Sequence, residues 1–82
     1  MLETFIRPRQ VQAAMGWSRS TLYQKISEGL FPAPVKLDAS GRAVGWPAHE
    51  VATLNAARIA GKPDNEIREL VVQLEAARKA AA

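Results

Sequence analysis

The chain lacks cysteine and has a single histidine, His49, among its 82 residues. The absence of cysteine excludes disulfides, thiolate nucleophiles and cysteine-ligated metal sites, and it fits a reducing compartment. The sequence also contains no glycine-rich phosphate loop, no HExxH pair and no nucleophile elbow. His49 lies in the first turn of a predicted helix, where we expect a surface residue rather than a ligand or base. We therefore predict that the protein is not an enzyme and has no catalytic residue, metal or cofactor.

Long hydrophobic runs are absent as well. No stretch approaches the roughly 20 apolar residues of a membrane span, and the first residues are too polar for an export signal. We expect no membrane partner and a cytoplasmic location. A chain of this length forms one small domain with a modest core, so a partner chain or nucleic acid can add to its stability.

Acidic residues are scarce in only one part of the chain. Residues 1–46 contain six basic and three acidic residues, whereas residues 47–82 contain five of each. The whole net charge of +3 therefore belongs to the first part. A basic segment of this kind favours contact with phosphates, and a balanced segment favours solvated helices or a protein interface.

The basic part contains a helix–turn–helix pattern. Pro8 suits the first position of a helix, an apolar stripe follows from Val11, and Gly16 ends it. A second helix begins two residues later, with Ser18 as its N-cap and Gly29 as its left-handed C-terminal residue. Two short helices joined by a tight glycine turn form a helix–turn–helix; the alternative is a plain helical hairpin.

The second helix carries an unusual solvent face. Its exposed side chains are hydroxyls, an amide, a phenol and two cations, which can hydrogen-bond to base edges and phosphates. The predicted DNA-binding residues of this helix are Ser18, Arg19, Ser20, Thr21, Tyr23, Gln24 and Lys25. The alternative is an ordinary polar helix face, and this stretch alone does not decide between the two.

A small β-hairpin is predicted to follow. Residues 35–37 and 42–46 alternate as half-exposed strands do, and turn-forming residues separate them. The hairpin would be a wing that places Lys36 and Arg42 against the DNA backbone or minor groove. The alternative is a structural hairpin whose cations face water. The predicted fold is thus mainly α with a small β-hairpin: a winged helix–turn–helix plus a C-terminal helix.

Two more helices complete the chain. Pro47 opens a third helix that runs to about Ala60, and Asp64 starts the last one. We assign residues 1–61 to a DNA-binding domain and residues 62–82 to a helix with a coiled-coil-like apolar seam. The seam residues are Ile67, Leu70, Val71 and Leu74. This helix either docks on a partner protein or folds back on its own domain.

These features together resemble the AlpA family of small phage-type regulators, which is related to excisionase-like and MerR-like winged helix–turn–helix proteins. The matching residues are 6–7, 11, 16–23 (GWSRSTLY), 29–32 (GLFP), 34–37 (PVKL), 42, 44–46 (VGW), 50–51 and 58. They cover about the first sixty residues in the family's order. One departure is at Leu54 and Asn55, where the family commonly has an aromatic and then an aliphatic residue.

The resemblance implies sequence-specific binding of double-stranded DNA by a protein of a mobile element. Such proteins act as excisionases, or recombination directionality factors, which bend attachment-site DNA so that the integrase excises the element. They also regulate transcription from prophage or integrase-region promoters, and some do both. We favour the excisionase role, with an integrase as a candidate partner and with self-association or cooperative head-to-tail binding of several copies on DNA. A DNA-binding protein of this kind would be associated with the nucleoid. An interaction module that does not bind DNA is the alternative from another class.

Overall fold

The computed structural model describes residues 2–80 and contains four helices and three short strands in that part of the chain. In chain order they are β1 (Phe5–Ile6), α1 (Pro8–Met15), α2 (Arg19–Ser27), β2 (Val35–Lys36), β3 (Val44–Pro47), α3 (Ala48–Ile59) and α4 (Asp64–Ala80). The prediction of a mainly α fold with a small β element is confirmed.

The two helices of the helix–turn–helix begin and end at the predicted signals. Gly16 ends α1 with a φ of 71°, in the left-handed region that favours glycine. Ser18 caps α2 by accepting a hydrogen bond from the Thr21 backbone N–H at 3.2 Å. Val11 of α1 and Leu22 of α2 are both fully buried in the shared core. The two helices are therefore fixed to each other by the core as well as by the turn.

The predicted hairpin is part of a three-stranded antiparallel sheet with the order β1-β3-β2. Val35 pairs with Gly45 across the hairpin, while Ile6 pairs with Trp46 on the other side. Strand β1 was not predicted, because two apolar residues ahead of a helix do not by themselves indicate a strand. At Gly45 an added Cβ would lie 3.2 Å from the Ile6 carbonyl oxygen, so the central strand has little room for a side chain.

Aromatic side chains connect the parts of the core. Trp17 and Phe31 pack edge to face with ring centroids 5.5 Å apart, and Phe31 and Trp46 do so at 5.6 Å. The Trp46 indole N–H donates to the carbonyl of Pro32 at 2.7 Å. These contacts tie the turn before α2, the loop after it and the central strand into one unit.

Helix α4 folds back on the same core. Ile67 and Val71 are buried with the residues of the other helices, and Leu70 and Leu74 pack against them partly buried. Of the two alternatives for this seam, docking on a partner or folding back on its own domain, the structure has the second. Packing these four apolar side chains against the core removes their surface from water, which favours this position of α4. Residues 62–80 share one packed unit with the segment before them.

A buried ion pair joins α4 to α3. Glu50, in the first turn of α3, is fully buried, and both of its carboxylate oxygens accept hydrogen bonds from Arg78 at 2.8 and 2.6 Å. The bonds from Arg78 to the Glu50 carboxylate raise the pKa of Arg78. A buried carboxylate without its partner would be costly, so Arg78 is needed as long as Glu50 is present.

Helix α3 packs closely on α1 at the point where the sequence departs from the family pattern. Leu54 is buried in the core, and the Asn55 amide donates to the Ala14 carbonyl at 3.1 Å, near the end of α1. The arrangement as a whole is a winged helix–turn–helix with α4 packed across it. Within residues 2–80, no helix has the length and apolar character needed to cross a membrane.

We expect Arg78→Ala to lower the free energy of unfolding by about 3–5 kcal/mol, because it leaves the Glu50 carboxylate buried and unpaired. Chemical denaturation would measure the change. Lys79→Ala, which removes a neighbouring exposed cation, should change it by less than about 0.5 kcal/mol. Adding Glu50→Gln to Arg78→Ala should recover part of the loss; a purely additive double variant would contradict the pairing.

Candidate nucleic-acid interface

Hydroxyl groups cluster at the start of α2. The Ser18 Oγ donates to the Thr21 Oγ1 at 2.9 Å and lies 3.4 Å from the Ser20 Oγ. Ser18 and Ser20 are exposed and Thr21 is half-buried. The first turn of α2 therefore presents oriented hydroxyls beside unpaired backbone N–H groups, a combination that suits phosphate oxygens.

The exposed face of α2 continues with longer side chains. The Arg19 guanidinium carbon lies 6.0 Å from the centroid of the Tyr23 ring, and the ring is 40% exposed. The Gln24 amide donates to a Glu28 carboxylate oxygen at 3.3 Å at the far end of the helix. Arg19, Tyr23 and Gln24 thus stand on the solvent side, while Leu22 anchors the opposite side.

A cleft of about 400 Å³ lies between α2, the start of α1 and the wing, by which we mean residues 35–46. Its lining residues are Arg7, Pro8, Arg9, Gln12, Arg19, Tyr23, Arg42 and Val44. The structure thus brings three of the predicted DNA-binding residues together, namely Arg19, Tyr23 and Arg42. We call this feature the arginine cleft.

Positive charge in the arginine cleft is not neutralised by the protein. Its lining includes four arginines and no carboxylate. Within residues 2–80, none of these four arginines takes part in a salt bridge. Guanidinium groups held together without counter-charges attract a polyanion, and their planar forks match phosphate and guanine edges.

Lys25 lies apart from the arginine cleft. Tyr23 and Lys25 are separated by about 200° around the helix axis, so they occupy opposite flanks of the exposed face. Lys25 lines a separate depression with Met15, Trp17, Asn55, Arg58 and Ile59. Cationic side chains therefore flank the exposed face of α2 on both sides.

The tip of the wing has a defined turn, and the Lys36 side chain lies against it. The Asp38 Oδ1 accepts hydrogen bonds from the Ser40 hydroxyl at 2.8 Å and the Gly41 backbone N–H at 2.9 Å. The bond from Ser40 lowers the pKa of Asp38. Lys36 is exposed, and its side-chain carbons lie against Gly41 rather than in the arginine cleft. Lys36 and Arg42 thus occupy different parts of the wing.

Sequence reasoning missed Arg7, Arg9 and Gln12 as members of the site. Arg9 entered the sequence analysis only as part of the basic excess of residues 1–46, and Arg7 entered it through that excess and as one of the residues that match the family. Pro8 begins α1 between them, which places both at the first turn, next to the cleft. Their position beside Pro8 was the available signal. No group of three or more His, Asp or Glu side chains in the described chain is arranged to hold a metal ion.

Two comparisons of the sequence with known proteins found a match. The sequence profile of the family described as "Prophage CP4-57 regulatory protein (AlpA)" matches residues 4–58, which span β1 to the end of α3. A protein of Enterobacteria phage P4, "Uncharacterized protein ORF88", is 43% identical over 60 residues. The matched part is 73% of this chain and 66% of the phage protein, just under two thirds of its length. No solved structure matches the chain.

The family match covers more than half of the chain and includes the two helices, the wing and the arginine cleft. Helix α4 lies beyond it. The chain belongs to the AlpA family of prophage regulatory proteins.

Proposed function

We propose that the protein binds double-stranded DNA in a sequence-specific manner, with α2 as its recognition helix. In this arrangement α2 enters the major groove, and Arg19, Tyr23 and Gln24 face the base edges. Arg7, Arg9 and Arg42 lie beside the groove, where they meet phosphates. Phosphate contacts supply much of the affinity, and the base contacts supply the specificity.

The arginine cleft is the observation that carries this proposal. Four guanidinium groups from α1, α2 and the wing surround one depression without a neutralising carboxylate. An ordinary solvated helix face would carry mixed charges. Lys25 on the opposite flank of α2 extends the positive charge to the other side of the helix, as contact with both walls of a groove requires. Membership in a family of DNA-binding regulators supports the same assignment and gives no support to an enzymatic role.

For the biological role we propose a recombination directionality factor. Such a protein bends attachment-site DNA so that the integrase of a mobile element excises it. This role needs a compact DNA-binding unit and no catalysis, and the described residues form one such unit. Basic groups on both flanks of α2 can contact phosphates on either side of the groove, as the DNA-binding part of this role requires.

A transcriptional role is the second candidate, and the description of the family as a regulatory protein favours it. In this role the same surface would bind a promoter near the integrase or prophage genes. Both roles use the same DNA contacts, so they can coexist in one protein.

An excision assay with the purified integrase separates the two roles. A supercoiled plasmid that carries both attachment sites should give excised product only when the protein is added. An Arg19→Ala variant should fail in the same assay. If excision proceeds equally well without the protein while an integrase-promoter reporter responds to it, the transcriptional role is the correct one.

DNA binding itself is tested against the non-binding alternative by gel shift at moderate salt. A duplex selected by the protein from a random library should bind at least about a hundredfold more tightly than a scrambled duplex. Equal affinity for the two duplexes would contradict the proposal and leave a protein-interaction module as the better explanation.

We expect Arg19→Ala to reduce discrimination at one base position by about 1–3 kcal/mol if Arg19 contacts a guanine. Arg19→Lys is the matched control, because it keeps the charge but loses the planar fork. It should bind scrambled DNA like the wild type and still discriminate poorly. Binding measured across single-base variants of the selected duplex checks both. Full discrimination by the lysine variant would show that Arg19 acts only through its charge.

Replacing Arg7, Arg9 or Arg42 with Ala should weaken binding to all sequences alike. The slope of log K against log salt should flatten by about 0.9 for each lost phosphate contact. Lys79→Ala, on α4, provides a control of equal charge and should leave the slope unchanged. The same titration with Lys36→Ala reports whether the tip of the wing reaches DNA. Unchanged slopes for the three arginine variants would contradict a phosphate role for the cleft.

A further inference from the structure

Helix α4 contacts the chain segment that ends the recognition helix, although it lies outside the part matched by the family. The Arg68 Nε donates to the Glu28 carbonyl oxygen at 2.9 Å. The side-chain carbons of Arg68 also lie over Gly29, where an added Cβ would be 3.8 Å from the Arg68 Cγ. Arg68 thus holds the point at which the chain leaves α2.

The hydrogen bonds that end α2 leave the Glu28 carbonyl oxygen available to accept the bond from Arg68. The Gly29 N–H donates to the Ile26 carbonyl at 3.1 Å, and the Leu30 N–H donates to the Lys25 carbonyl at 2.9 Å, which together form a Schellman motif. Neither bond uses the Glu28 carbonyl. A guanidinium there satisfies a helix-end acceptor and places positive charge at the negative end of the helix dipole.

A second contact holds the next part of the same segment. The Ala33 backbone N–H donates to the Glu75 carboxylate at 2.9 Å. Because Pro32 and Pro34 have no N–H, Ala33 is the one backbone donor of this short stretch. Glu75 lies seven residues after Arg68, two helical turns along the same face of α4.

The opposite end of α4 is fixed independently. Arg78 forms the buried ion pair with Glu50 of α3, and about 15 Å of helix separates it from Arg68. Helix α4 is therefore attached to α3 near both of its ends, through Arg78 and through the Asp64–Arg58 pair, and to the exit of α2 through Arg68. The seam residues of α4 pack into the core between Asp64 and Arg78.

We propose that Arg68 and Glu75 are positioning residues for DNA recognition. They set the orientation of α2 relative to α1 and the wing without touching DNA themselves. This inference rests on the proposed DNA-binding function. It extends that function to α4, which lies outside the family match and would orient the recognition helix.

The sign of the charge change at Glu75 makes the proposal testable. Glu75→Ala removes a negative charge, so electrostatics alone would tighten binding to DNA. Positioning predicts the opposite, about a fivefold loss of affinity for the selected duplex. Glu69→Ala, which removes an exposed acid from the same helix, is the matched control and should bind no more weakly than the wild type. If Glu75→Ala binds as tightly as Glu69→Ala, the proposal is wrong.

Arg68→Met gives the second test, because it keeps an aliphatic stem over Gly29 and removes only the donor. We expect about a fivefold loss with an unchanged salt slope, and little loss for Lys79→Met. A slope that flattens by about 0.9 would show that Arg68 contacts a phosphate, and equal losses for both variants would show a general charge effect; either result overturns the positioning role. Since the apolar stem is retained, this variant remains the deciding one if Glu75→Ala does not fold.

Hydrogen exchange without DNA separates this proposal from the proposed function. Amides at the end of α2 and in the following loop, residues 28–33, should exchange about tenfold faster in Arg68→Met and in Glu75→Ala than in their controls. If the wild type shows no DNA preference but this difference in exchange rate is present, the proposed DNA-binding function is wrong, whereas the role of Arg68 and Glu75 in fixing residues 28–33 is supported. Unchanged exchange rates in both variants would show that Arg68 and Glu75 do not fix residues 28–33.

Discussion

The orientation of α2, the helix that we propose reads DNA, depends on a chain of three aromatic rings. Trp17 precedes α2, Phe31 follows it, and Trp46 lies in the central strand, with each ring packed edge to face on the next. Such pairs contribute about 0.5–1.5 kcal/mol each beyond the area that they bury. Because Trp46 also donates to the Pro32 carbonyl, the loop after α2 is held to the sheet. Both ends of α2 are thereby held to β3, the second strand of the wing.

The arginine cleft has a distribution of charge that is unfavourable for the stability of the free protein. Elsewhere some opposite charges are paired, as for Glu50 with Arg78 and Arg58 with Asp64. In the cleft, like charges from three elements are collected without partners, an arrangement that costs stability in the free protein. Natural proteins accept such local conflicts at functional sites. Four guanidinium groups without a carboxylate among them are the reason why we propose the cleft, rather than the general basic charge of residues 1–46, as the DNA-binding surface.

Features encoded by neighbouring residues could be predicted from the sequence, and features that depend on distant residues could not. The cap at Ser18 and the left-handed Gly29 are local signals, so the bounds of α2 were predicted closely. The burial of Glu50 depends on Arg78, which lies 28 residues away, and no periodicity in either helix indicates that they meet. Arg7 likewise joins the site only because β1 pairs with β3, which brings the start of α1 beside the wing.

The two outer strands of the sheet are only two residues long, and this limits how the protein can meet other chains. β1 and β2 each leave few backbone groups unpaired, and Lys36 places a charge on the second edge. Short, charged edges are poor templates for strand addition and aggregation. Copies bound at adjacent sites on one DNA would therefore contact each other through side chains. Their sheets would not join by pairing of edge strands.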